Sequence, residues 1–117
     1  MENCRPARQQ FLSDAEFCWT CGQGGPLTPH EMLRGSFREV ALPQRCTWLA
    51  VCWQCNSEEL TSAGKWPLVR QQAVKWIYDR DYFDLVKTNL LHDRAPGAIT
   101  FTEVIPHICR LLDDSIQ

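Results

Sequence analysis

Cys18-Trp19-Thr20-Cys21 and Cys52-Trp53-Gln54-Cys55 are the stretches whose reading decides the fold. Each puts two thiols on one tight turn, and thirty residues separate Cys21 from Cys52. Four sulfurs offered from two short turns suit one tetrahedral Zn²⁺ ion, which binds thiolates at about 2.3 Å. A single C-x-x-C also reads as a redox motif. A second pair at a workable distance favours a four-cysteine structural zinc site, with a disulfide or thiol-redox pair as the alternative. Cys4, Cys46 and Cys109 fall outside this pattern and read as buried apolar side chains or surface thiols. Cys46 lies between the pairs and is the one spare able to substitute as a ligand.

A chain of 117 residues, 44% apolar and 22% charged, reads as one compact domain of ordinary composition, for which a bound metal is useful reinforcement. No run of about 18 apolar residues is present, so no membrane span or membrane partner is expected. The N-terminal MENCRPARQQ has no apolar core of a signal peptide, which points to a cytoplasmic protein in which thiols stay reduced. The net charge of −2 is unevenly spread. Residues 30–75 carry six basic side chains (Arg34, Arg38, Arg45, Lys65, Arg70, Lys75) against four acidic ones, whereas residues 76–117 carry four against seven. A mildly cationic middle is compatible with phosphate contact, and so is an ordinary mixed surface.

In chain order, residues 1–16 form a lead-in with one short amphipathic turn at Phe11, Leu12 and Ala15. Glycines after Cys21 allow a sharp turn. Residues 27–35 read as a strand or extended loop, and 36–45 as irregular, with Pro43 blocking a long element. Residues 47–53, rich in β-branched and aromatic side chains, read as a second strand. Two antiparallel strands then bring the cysteine pairs together. Asn56 with Glu59 has capping-box spacing for a short helix. Trp66-Pro67 opens the next helix, its apolar face formed by Val69, Ala73, Trp76 and Ile77 and its outer face by Gln71, Gln72 and Lys75. Asp81 is expected to cap a third helix with Tyr82, Leu85, Val86 and Leu90 inward. After a loop at Pro96-Gly97, Thr100 and Glu103 open a last helix with Val104, Ile108, Leu111 and Leu112 inward and Pro106 near its first turn. Trp19, Trp53 and Trp76 read as core, the first two covering the metal.

Between the knuckles, the residues able to carry chemistry are His30, Glu31, Arg34, Arg38 and Asn56. His30 on the first strand and Asn56 after the last cysteine would face each other across the paired strands. Together they can share a hard divalent ion whose shell is completed by water and phosphate oxygen. Asn56 also reads as a plain helix N-cap, and the two roles are compatible. Arg34 and Arg38 read as phosphate contacts or as solvated charges. His92 and His107 lie far from the unit and receive no role.

The order Cys-x-x-Cys-Gly, then Pro29-His30-Glu31-Met32-Leu33-Arg34-Gly35, then Trp48-Leu-Ala-Val-Cys-Trp-Gln-Cys-Asn56 resembles the HNH endonucleases of the ββα-metal class, most closely the small HNH-type proteins of phage and bacterial genomes. The resemblance covers roughly residues 17–60. It implies an α+β fold: a zinc-stabilised ββα-metal (HNH, His-Me finger) unit at 17–64, preceded by the lead-in at 1–16 and followed by a helical C-terminal region at 65–117 packed on it. It also implies DNA phosphodiester hydrolysis with a catalytic Mg²⁺ or Mn²⁺, in the cytoplasm of a bacterial or phage-infected cell. Carried over, Asn56 is a ligand of the catalytic ion. His30 is either the general base, with Pro29 unable to ligate beside it, or a second ligand, with Glu31 as the base; the His-Glu-hydrophobic pattern favours the latter. The family's middle Asn has no counterpart between Glu31 and Cys55, and Gln44 or Thr47 stands nearest to its place. That departure keeps a catalytically inactive zinc-knuckle module, binding nucleic acid or a protein partner, as the alternative.

Overall fold

The first element is longer than the single turn expected from sequence. In the computed structural model, which describes residues 5–32, 43–57, 66–92 and 94–116, helix α1 spans Arg5–Ala15. Its run of Arg, Gln and Leu favours helix, and Phe11 supplies the anchor. The Phe11 ring is buried edge-on between Trp19 and Trp48, with centroids 5.2 and 5.4 Å away. The helix stops at Glu16, which takes the left-handed φ of 69° that ends many helices. The chain then turns into the first knuckle.

Strands β1 (Thr28–Glu31) and β2 (Trp48–Val51) pair antiparallel, with Thr28 opposite Val51 and His30 opposite Leu49. A short 3₁₀ turn, Arg45–Thr47, leads into β2 where the sequence reads as strand from residue 47. Every residue of β2 is buried. It lies between α1 and a second helix, α2 (Leu68–Tyr78), so both of its faces are covered. Phe11, Trp19, Trp48, Leu49, Val51 and Val74 form the main core, together with Cys18 and Cys55.

Helix α2 has a second packing face. Ala73 joins Val104 and Ile108 of the last helix, α4 (Phe101–Ile116), with Val69, Trp76 and Ile77 at the margin. Here the expected apolar face is the observed one. The opposite stripe differs from expectation: Gln71, Gln72 and Lys75, read as solvent-facing, are all buried. Gln71 and Lys75 face inward because this side of α2 meets polar groups of the sheet. Lys75, with 0% of its surface exposed, donates to the Trp48 carbonyl at 2.8 Å and to Asp79 at 2.7 Å. Asp79 also takes two hydrogen bonds from Arg45, each 3.0 Å. Burial pushes the Lys75 amine down to about 8, against the opposing pull of Asp79. For Gln72, neither amide atom finds a partner among the described residues.

The third helix, α3 (Leu85–Leu91), is capped by Asp84, whose carboxylate accepts from the Lys87 amide at 3.0 Å. Asp81, expected to cap it, lies instead in a separate 3₁₀ turn, Arg80–Tyr82. Tyr82, Val86 and Leu90 are exposed rather than inward, while Thr88 and Asn89 are buried. Asn89 is inward because its amide ties the following loop, donating to the carbonyls of Pro96 and Ile99. The capping box of α4 forms: Glu103 accepts from the Thr100 amide at 2.8 Å. Pro106 sits inside α4, beyond its first turn, and Leu112 is exposed. No helix of the described residues is long and apolar enough to cross a membrane.

Candidate metal centre and the adjoining histidine site

The first knuckle is shaped by backbone hydrogen bonds. The Cys18 amide donates to the Gln23 carbonyl (2.9 Å) and the Gly22 amide to the Cys18 carbonyl (2.8 Å). Gly22 takes a φ of +80°, which its missing side chain permits. The Trp19 amide donates to the Ala50 carbonyl at 2.9 Å, stapling this knuckle to β2. The second knuckle follows directly from β2. A helical turn over 53–57 begins at Trp53, and the Asn56 amide donates back to the Cys52 carbonyl at 3.0 Å.

The ligand atoms of Cys18, Cys21, Cys52 and Cys55 all lie within 4.8 Å of one another. Two corners of a tetrahedron with edges to its centre of about 2.3 Å stand about 3.8 Å apart. The Cys21 and Cys52 sulfurs are separated by 3.8 Å. The four-cysteine cluster therefore has the donor set and the spacing for a structural zinc ion. Cys46 is not part of it: its thiol is buried elsewhere, beside Thr88, and is pushed up by that burial.

The thiols are unequal without a cation. Burial pushes Cys18 up, but the Thr20 hydroxyl and the backbone groups of Cys52, Cys21 and Thr20 outweigh it and bring Cys18 down to about 6. Burial holds Cys21 and Cys55 above the ordinary thiol value, and the Cys18 sulfur adds to this in both. One sulfur is thus ready as thiolate, while at least two must give up a proton to a metal.

His30 and Asn56 are brought together next to this cluster. His30 Nδ1 lies 3.1 Å from Asn56 Oδ1, and His30 Nε2 lies 2.9 Å from Gln71 Oε1. His30 is 3% exposed. The Asn56 amide nitrogen donates to Thr28 Oγ1 at 3.2 Å. The helical turn starts three residues earlier, so Asn56 lies within it and its side chain reaches β1; Glu59, the expected capping partner, lies outside the described residues. Glu31 is not at this site. Adjacent strand residues point to opposite faces, and Glu31 meets Arg8 of α1 in a 2.8 Å ion pair. Thr47, one stand-in for the family's middle Asn, donates its hydroxyl to the Gln44 carbonyl and accepts the Met32 amide through its own carbonyl (both 2.8 Å). It braces the end of β1 without reaching His30 through these bonds. Arg34 and Arg38 lie outside the described residues.

Sequence reasoning missed Gln71. The available signal was that Leu68, Val69, Ala73, Val74, Trp76 and Ile77 surround most of α2, leaving Gln71, Gln72 and Lys75 as a narrow polar stripe apart from Arg70. Trp53, expected as core, is 70% exposed, whereas Trp19 is buried and stacks on Tyr78 at 5.6 Å.

Comparison of the chain with protein-family models, with curated proteins and with solved structures finds no match.

Proposed function

We propose that the chain is a metal-dependent HNH-type endonuclease that hydrolyses phosphodiester bonds in DNA, with zinc as the structural ion and Mg²⁺ or Mn²⁺ as the catalytic one. The observation that carries this reading is the convergence of His30 Nδ1 and Asn56 Oδ1 at 3.1 Å, beside the four-cysteine cluster. Two neighbouring ligands of an octahedral ion at about 2.1 Å stand about 3.0 Å apart, so the pair is spaced for one hard divalent cation. That cation would stabilise charge developing on the phosphodiester. His30 and Asn56 hold it, and Thr28 orients the Asn56 amide. The cysteine cluster fixes the turn carrying Asn56 against the strand carrying His30. Glu31, engaged by Arg8, does not serve as the base in this arrangement. The register in which His30 itself takes the proton from water uses the same Nδ1 atom.

A second reading, a zinc-knuckle module that binds nucleic acid or a protein partner without cleaving, is favoured by the burial of His30 and by the ion pair that occupies Glu31. Plasmid DNA incubated with zinc-loaded protein separates the two. Cleavage that requires added Mg²⁺ or Mn²⁺, is lost in His30→Ala and Asn56→Ala, and survives in Glu31→Ala supports the nuclease. Binding that persists without divalent ion, with no cleavage under any condition, refutes it in favour of the module.

A further inference from the structure

We propose that Gln71 is the positioning residue of the histidine site, fixing His30 in the tautomer that turns the Nδ1 lone pair toward Asn56. The metal role of that lone pair rests on the proposed divalent-ion site; the tautomer does not.

The direction of each hydrogen bond places the protons. Gln71 Nε2 donates to the Trp66 carbonyl at 2.8 Å. A carbonyl only accepts, so the amide nitrogen must face Trp66 and the amide oxygen must face His30. Gln71 Oε1 also only accepts, so the proton of its 2.9 Å bond to His30 belongs to His30 Nε2. In the neutral imidazole the single N–H is therefore on Nε2 and Nδ1 is the basic nitrogen; in the imidazolium a second proton on Nδ1 is donated to Asn56 Oδ1. The partner of Nδ1 is directed in the same way. Thr28 donates its hydroxyl to the Val51 carbonyl at 3.3 Å and accepts the Asn56 amide nitrogen at 3.2 Å, so Asn56 Oδ1 is turned to His30.

With the imidazole neutral, two electron-rich atoms face each other at 3.1 Å, each held there by a bond on its far side. Such a pair gathers a positive charge, either a proton on Nδ1 or a cation that displaces it. An N–H on the distal nitrogen bonded to a carbonyl oxygen is also the arrangement that orients metal-binding histidines and raises their basicity. Gln71 reaches His30 from α2, outside the strand–strand–turn unit, so α2 helps build the site in addition to packing on it. Both ends of the Gln71 amide are used, which leaves it one orientation.

The test pairs a tautomer measurement with a binding measurement. Zinc-loaded protein carrying ¹⁵N-histidine is examined by NMR with and without Mg²⁺, and Mn²⁺ affinity is measured by titration. The expected result is a proton on His30 Nε2 in both states, with Nδ1 unprotonated when Mg²⁺ is present. Gln71→Leu is expected to weaken Mn²⁺ binding by about 10- to 100-fold. Gln71→Glu, which keeps an acceptor for Nε2–H, is expected to restore most of that loss. A proton on Nδ1 with Nε2 bare in the wild-type protein overturns the proposal whether or not any variant folds. So does Gln71→Leu that binds zinc and Mn²⁺ as the wild type does. If wild type and Asn56→Ala bind Mn²⁺ equally weakly, the divalent-ion reading falls, and the wild-type tautomer still decides the part played by Gln71.

Discussion

Lys75 is the buried charge whose consequence is largest and most directly measured. It sits under the rings of Phe11 and Trp19, with its amine 5.2 and 5.7 Å from their centroids. Its ordinary value of 10.5 falls to about 8 on folding because burial penalises the ammonium more than Asp79 rewards it. Below pH 8 both folded and unfolded chains carry the proton, and the folded state bears the full penalty. Between about 8 and 10.5 the unfolded chain binds more protons, so stability rises with pH. Above that window the penalty is gone. The gap corresponds to about 3 kcal/mol recovered across the window. Urea unfolding of the zinc-loaded protein at intervals from pH 7.5 to 11 measures it, with Lys75→Met as the reference that lacks the titrating group. The difference in unfolding free energy between wild type and Lys75→Met should move in favour of the wild type by about 3 kcal/mol as pH rises. Other groups titrating in the window cancel in that difference. A difference that stays flat, or moves against the wild type, refutes the claim that Lys75 is held in the core at a desolvation cost.

Two further outcomes follow from particular side chains. Gln72→Met replaces a buried amide with no partner among the described residues by an apolar chain of similar length, and should raise the unfolding free energy by about 1–3 kcal/mol; a loss of stability would mean that the amide is bonded in solution. Zinc binding at pH 7 should release roughly two or more protons per ion, because Cys21 and Cys55 are held as thiols while Cys18, at about 6, is largely thiolate. Calorimetry in buffers of different ionisation enthalpy counts them, and release of none would contradict the unequal thiols. Zinc affinity should accordingly fall steeply as pH drops below 7.

What the sequence disclosed about this chain follows from how local each signal is. The C-x-x-C pairs, the glycine turn after Cys21, the capping box at Thr100 and the apolar face of α2 each depend on residues within a turn or two, and each is legible. The antiparallel pairing that brings His30 to Asn56 is legible too, since it places the two cysteine pairs at the same end of the strands. The buried polar stripe of α2 is not. Gln71, Gln72 and Lys75 read outward because a polar stripe on an amphipathic helix ordinarily faces water. Here it faces a sheet that presents the Trp48 carbonyl and the His30 ring, which no local pattern announces. Glu31 shows the converse. Its place next to His30 in sequence suggested a shared site, yet strand alternation sends it to the other face, where Arg8 is waiting. Spacing alone points Val86 and Leu90 inward, but the residues of α3 that turn inward are Thr88 and Asn89, the latter holding the loop after it.

The central claim is that His30 and Asn56 form a divalent-cation site beside a zinc-pinned turn. Anomalous diffraction from crystals of zinc-loaded protein soaked in Mn²⁺ tests it most directly. The expected result is a zinc peak enclosed by Cys18, Cys21, Cys52 and Cys55, and a separate manganese peak about 2.2 Å from both His30 Nδ1 and Asn56 Oδ1. A zinc peak alone, with the imidazole and the amide still facing each other at saturating Mn²⁺, would contradict it.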